Sequence, residues 1–246
     1  AKSAYVVKLK INRKRKRVVV IPELKKLDES VSLDSTTNEV VKKWTDIGNA
    51  NYDSLGFAAQ QVLIQVGDTL NGLETDVRSG STNLTELIAN AMAAACPNAD
   101  VAIYNAGSIR LDDLLPPPVT QYDIIRTLPF GGGIREVDMR GSLLVRILET
   151  GLKNRGIGGF LQYQRKVLHN NFSNTWTINN QPIDTAKTYR VALSEFIFTG
   201  REANLDFLTP ANADITKVYD VDSAVGGATG DIRLAVVRYL QRAAPR

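Results

Sequence analysis

The chain reads as an α+β domain, a mixed β-sheet with flanking helices, preceded by a strand pair and a linking helix. Three features predict this class. Strand-like and helix-like stretches interleave over 246 residues without a regular strand–helix–strand rhythm, which favours a mixed sheet over a doubly wound one. Two segments, 82–96 and 141–153, carry apolar side chains at helical spacing. Short runs rich in β-branched and aromatic residues, such as DVAIYN at 100–105, have the length and composition of buried strands.

In chain order, Tyr5–Ile11 (YVVKLKI) and Val18–Pro22 (VVVIP) read as two strands flanking the basic run Arg13–Arg17. That run is most simply a solvated hairpin tip. A nucleic-acid reading is disfavoured because no aromatic residues interleave with the cations. Asp34 or Ser35 can cap a helix over about 36–50, in which Val40, Val41, Trp44 and Ile47 fall at helical spacing. Val62–Leu70 reads as a strand leading to a turn and Thr82–Cys96 as a strong helix that Thr82 or Asn83 can cap, lined by Leu84, Leu87, Ile88, Ala91, Met92 and Ala95. Strand 100–105 follows, then a Pro-rich connector at 114–120, a short helix at 122–128, a strand at 134–140 and an amphipathic helix at 141–153. Gly158–Tyr163, the stretch around Trp176, and Thr188–Phe198 read as strands, and 229–242 as the closing helix.

Composition narrows the function classes. No apolar run approaches the length of a membrane span. A single cysteine, Cys96, excludes an intrachain disulfide. A single histidine, His169, cannot build a dinuclear hydrolytic metal centre, which needs several His with Asp and Asn ligands. His169 reads instead as a structural residue. No HExxH, GxSxG, phosphate-binding P-loop or paired CxxC is present.

The most informative segment is YNAGSIR (Tyr104–Arg110), followed by LPFGGG (Leu128–Gly133). A buried strand exits into a turn of small residues, where backbone can approach a ligand. Arg110 leaves that turn with a planar fork suited to phosphate or carboxylate. These residue types suit a small anion bearing a flat ring. Alone, a strand, a glycine turn and a surface arginine form a common trio.

Further motifs in the same order give the stretch from about 60 to 210 a specific likeness. TDVRSGSTNLTELIANAM (Thr75–Met92) resembles the pattern R-x-x-E-x-N-x-G-x-L-I-A-D-A, with Ser81 where Glu is usual. Asn105 to Arg110 resembles N-G-G-G-I-R, and SEFIFTGREANLDFL (Ser194–Leu208) resembles N-F-x-x-x-G-G-D-G-F. Together they resemble the C-terminal, substrate-recognising domain of the 5'-nucleotidase family, which includes 2',3'-cyclic-nucleotide phosphodiesterases and UDP-sugar hydrolases. The resemblance implies that Phe130 and Phe196 form the two walls of an aromatic clamp on a base. It implies that Arg78 and Arg110 hold phosphate, that Asn105 is a hydrogen-bond partner, and that Glu202, where Asp is usual, accepts from ribose hydroxyls. Asn204 is a further polar contact or a turn-former, Asn83 caps or braces its helix, and GGFLQ (158–162) is structural. For Phe130 and Phe196 the competing role is plain core packing.

By the same resemblance, residues 1–33 are a remnant of a preceding metallophosphatase domain, 34–58 a linking helix region, and 59–246 the C-terminal domain. The linking helix is alternatively an amphipathic helix that closes its own domain. No catalytic residue or cofactor is expected in this chain; two divalent metals are implied in the other domain, and closure about the helix would join the halves. The expected partners are a nucleotide or similar small molecule and that N-terminal domain, without nucleic acid or a membrane span, at a periplasmic or cell-surface location. The chain alone is expected to bind nucleotides weakly and hydrolyse nothing. The alternatives are a stand-alone nucleotide-binding module and a surface interaction domain whose pocket has changed.

Overall fold

Apolar side chains at every second position make a strand with one greasy face, and the N-terminal residues follow that rule. The computed structural model describes residues 3–221 and 227–243. Strands β1 (Ser3–Asn12) and β2 (Arg17–Lys26) pair antiparallel, with Asn12 opposite Arg17. The register sets Tyr5, Val7, Leu9 and Ile11 opposite Leu24, Pro22, Val20 and Val18, one wholly apolar face. The basic run forms the turn, where like charges reach water and Arg15 N–H donates to Asn12 Oδ1 at 3.0 Å. Helix α1 (Ser35–Ser54) starts where Asp34 Oδ1 accepts from Thr37 N–H at 2.8 Å. Every residue from Ser3 to Ile47 is exposed.

The chain divides into two compact units, Ala1–Gly48 and Asn49–Arg246. The second begins with β3 (Val62–Ile64), β4 (Leu70–Asn71), the single turn α2 (Glu74–Val77), α3 (Asn83–Ala95) and β5 (Val101–Asn105). Next come β6 (Leu114–Leu115), β7 (Val119–Thr120), α4 (Gln121–Thr127), β8 (Ile134–Arg140), α5 (Gly141–Lys153) and β9 (Leu161–Tyr163). The chain continues through β10 (Val167–Asn170), β11 (Thr175–Ile178), β12 (Gln181–Pro182), β13 (Thr188–Ser194), α6 (Glu195–Phe198), β14 (Ile215–Val218) and α7 (Ile232–Ala243).

Its centre is a five-stranded mixed sheet in the order β14-β8-β13-β5-β9, in which β13 and β5 are parallel and the other pairs antiparallel. Alternation along β5 divides the core: Ala102 and Tyr104 face a cluster with α3, α4 and α7, whereas Val101 and Ile103 face one with α5 and Trp176. Each fully buried Leu or Ile there contributes about 1.5–3 kcal/mol. Tyr104 is wholly buried and satisfies its hydroxyl on the Thr85 carbonyl at 3.0 Å, tying β5 to α3. Thr82 caps α3 in a reciprocal box with Thr85. Asn83 braces that corner by accepting from Asn71 N–H and donating to the Thr69 carbonyl.

Four expected elements differ. Residues 62–70 form two short strands with a bend at Gly67 rather than one strand. The Pro-rich connector contains β6 and β7, which pair with β4 and β3. The expected strand from Gly158 begins only at Leu161, because Gly107 N–H takes the Gly158 carbonyl at 2.7 Å and holds the preceding loop against the 106–108 turn. The expected strand 188–198 ends at Ser194 and turns into α6, so Phe196 lies on a helical turn at the strand's exit. His169 has a structural setting, its ring 4.5 Å from that of Trp176 and its nitrogens bonded to Asn171 and Asn174.

Candidate functional site

The C-terminal ends of the parallel neighbours β5 and β13 lead into a cavity of ≈ 330 Å³, the lower end of the range for small-ligand sites. Phe130 comes from the glycine loop after α4, and Phe196 from α6 immediately after β13. Both line the cavity, with Leu128 and Ile232 as apolar floor and Asn105, Ser108 and Glu195 as polar groups. The phenyl rings are 74% and 47% exposed, so neither serves as core packing. Large apolar rings left in solvent at a cavity mouth are available to a flat ligand.

Turn chemistry explains the placement. Gly131 and Gly132 have φ of +59° and +91°, and a Cβ on Gly131 would lie 2.8 Å from Arg233 Nη2. Positive φ at two successive residues favours glycine, and the loop reverses just after Phe130. The loop is bonded to the start of α7, with Ile232 N–H donating to the Gly132 carbonyl at 2.9 Å. Arg110 places its guanidinium 5.8 Å from the Phe130 ring centroid, at the edge of cation–π range. Its own backbone N–H donates to the Thr127 carbonyl.

Asn105 is buried and poised by two side-chain bonds: Ser108 Oγ donates to its Oδ1, and its Nδ2 donates to Glu202 Oε2, each at 2.6 Å. Glu202 is thereby brought to the base of the same turn, its other oxygen accepting from Ala203 N–H at 2.7 Å. Five expected residues therefore gather: Phe130 and Phe196 as walls, Arg110 against one wall, Asn105 below, and Glu202 bonded to it.

Arg110 and Glu202 reach the cavity only through Phe130 and Asn105 and do not line it, and Arg78 and Asn204 do not line it either. Arg78 pairs with Glu74 at 2.5 Å within its own helical turn, and its carbonyl accepts from Gly156 N–H at 2.7 Å. It is thus linked to the site through the 154–160 loop. Asn204 sits in a left-handed turn (φ +63°) and donates to Asn154 Oδ1 at 2.6 Å. Its carboxamide braces the loop carrying Glu202.

Sequence reasoning missed Glu195. Its carboxylate accepts from Arg135 Nε and Nη2 and, at 3.2 Å, from Gly133 N–H. The Arg135 hydrogen bond, helped by that backbone N–H, holds its carboxyl below the usual value of 4.5. Ser194, beside it, has a buried hydroxyl with no hydrogen-bond partner. A signal existed, an acid immediately before Phe196, but its partners lie some sixty residues upstream. The residues do not fit a metal centre: among the described residues no three His, Cys, Asp or Glu side chains converge. No helix among them is long and apolar enough to cross a membrane.

Residues 64–209 match the model of the 5'-nucleotidase C-terminal domain. That span is more than half of the chain. The chain belongs to this family. It is similar to the trifunctional nucleotide phosphoesterase YfkN of Bacillus subtilis, 30% identical over 154 residues, covering 53% of this chain and 10% of that protein. Protein UshA of Escherichia coli is 28% identical over 193 residues, covering 76% of this chain and 32% of UshA. Among solved structures, a 5'-nucleotidase precursor from Thermus thermophilus shares the fold with a TM-score of 0.70 at 20% identity, covering 98% of this chain and 47% of that one. The NAD nucleotidase of Haemophilus influenzae gives a TM-score of 0.59 at 18% identity, covering 96% and 45%. The chain therefore spans a third or less of these curated relatives and about half of the solved chains.

Proposed function

We propose that this chain is the nucleotide-recognition part of a phosphoester hydrolase of the 5'-nucleotidase type, acting in nucleotide breakdown. The base enters between Phe130 and Phe196, and stacking on a ring contributes about 1–3 kcal/mol per base. Ribose hydroxyls donate to Glu202, whose carboxylate is oriented by Asn105. The phosphate meets Arg110 at the cavity mouth, and Arg78 joins when its side chain leaves Glu74. The single observation that carries the reading is the pair of exposed phenyl rings flanking one cavity, supplied by segments 66 residues apart.

Hydrolysis belongs to a metallophosphatase domain N-terminal to this unit, with residues 1–33 as its remnant and 34–58 as the linking helix region. The bare apolar face of β1 and β2 supports that division, because an isolated hairpin is marginal and such a face calls for a covering layer. Two divalent metals reside in that domain, and this chain's own residues bind, orient and clamp. A periplasmic or cell-surface location follows from the same family reading.

Calorimetric titration of AMP into the purified chain tests the proposal. Weak saturable binding is expected, lost in Phe130→Ala and Phe196→Ala, with no release of phosphate when divalent metals are added. Binding that survives both substitutions contradicts the clamp, and metal-supported turnover by this chain contradicts the division of labour.

A further inference from the structure

The proposed base clamp is built from two short pieces: a loop with three consecutive glycines and a helix of only four residues. Glycine loops carry more conformational freedom than any other backbone, so a wall mounted on one needs an external brace. Backbone bonds fix the far end of the loop, the Gly132 carbonyl accepting from Ile232 N–H at the start of α7 and Ile134 N–H donating to the Thr229 carbonyl just before it. Near Phe196 the braces are the β13–β8 ladder, which ends at the Ser194–Ile134 pair, and Glu195 just beyond it.

Glu195 forms a reciprocal pair with Gly133: its backbone N–H donates to the Gly133 carbonyl at 2.8 Å, and its Oε2 accepts from Gly133 N–H at 3.2 Å. Its Oε1 accepts both Nε and Nη2 of Arg135, two residues farther along the same segment. Glu195 directly precedes Phe196, and Gly133 lies three residues after Phe130. The carboxylate therefore adds a side-chain link to the backbone ladder that joins the roots of both aromatic walls. Added Cβ atoms on Gly132 and Gly133 would come within 4.0 and 3.5 Å of Glu195 Oε2, which shows how closely the loop wraps the carboxylate.

We propose that Glu195, held by Arg135, is a positioning residue that sets the separation of Phe130 and Phe196 and so the affinity for a planar base. This deepens the nucleotide-recognition reading and rests on it. Arg135 and Gly133 take three of the carboxylate's roughly four acceptor sites, so although Glu195 lines the cavity its bonds go to the segment that carries the walls. A stacking slot loses affinity when its walls must be ordered at the moment of binding, because the ordering entropy then falls on the complex.

The test uses the full chain, titrated with adenosine and separately with ribose 5-phosphate, which lacks the base. The readouts are calorimetry, hypochromism of the bound adenine, and thermal melting. Glu195→Ala is expected to weaken adenosine binding by about tenfold and to reduce the hypochromism at saturation. Glu195→Gln, which keeps an acceptor for Gly133 N–H, is expected to lose only about threefold, and Arg135→Met the same. Ribose 5-phosphate binding should be unchanged in all three. Equal adenosine affinity and hypochromism in wild type and Glu195→Ala would overturn the inference while leaving nucleotide recognition intact. If Glu195→Ala does not fold, unchanged affinity in Glu195→Gln and Arg135→Met overturns it equally. Absence of adenosine binding in the wild type removes the underlying reading instead.

Discussion

The hairpin unit and the C-terminal unit are written in the same apolar alphabet, but only the second spends it on a core of its own. Tyr5, Val7, Leu9, Ile11, Val18, Val20 and Leu24 share one face of the β1–β2 ribbon, and all are exposed. In the C-terminal unit, Leu84, Ile88, Ile103, Leu144 and Val191 are each 1% exposed or less. The difference teaches that strand pattern specifies a face, whereas stability requires a second layer to cover it. The C-terminal unit has that layer on both sides of its sheet. The exposed Phe130 and Phe196 then stand out in the cavity lining, where the neighbouring Leu128 and Ile232 are buried.

The largest expected effect breaks the core side of this contrast. Leu84→Ala should lower the stability of the C-terminal unit by about 2–5 kcal/mol in denaturant titrations, since a cavity opens where nothing can collapse. Next, Phe130→Ala should weaken nucleotide binding by roughly 5- to 150-fold, from about 1–3 kcal/mol of lost stacking. Its melting temperature should stay near that of the wild type because the ring is already in solvent. Thr82→Ala removes the α3 cap and should cost about 1 kcal/mol in the same denaturant titration.

A smaller effect concerns acid. Glu195 ionises below its ordinary 4.5 in the folded state, so its contribution is present above that value and fades as pH falls through the folded value. Melting curves of wild type and Glu195→Gln should differ at neutral pH and converge below pH 4.5, by a modest amount because the side chain is 41% exposed. The smallest effect sharpens the other side of the contrast: Leu9→Ala should change stability by less than about 0.5 kcal/mol, because no cover is lost. A larger loss would mean that the ribbon's face is already buried in solution.

Much of this was legible in the sequence. The α3 start, the β5 strand and helix α5 are each specified within their own residues, by the Thr82–Asn83 pair, of which Thr82 is the cap, by a run of apolar residues and by a 3.6-residue period. The strands β4, β6 and β7 are two residues each and exist only through their pairing, so no local pattern announces them. Phe198 and Phe196 illustrate the same limit. Both follow β13 in one apolar run, yet the turn into α6 buries Phe198 and exposes Phe196. Motif order pointed to Phe130, Asn105 and Arg110, whereas Glu195 became visible only when Gly133 and Arg135 were brought beside it.

The most direct measurement is a crystal structure of this chain soaked with AMP. Adenine sandwiched between Phe130 and Phe196, with the phosphate directed toward Arg110, is the predicted result. Nucleotide bound elsewhere on the surface, with both rings still facing an empty slot, would contradict the account.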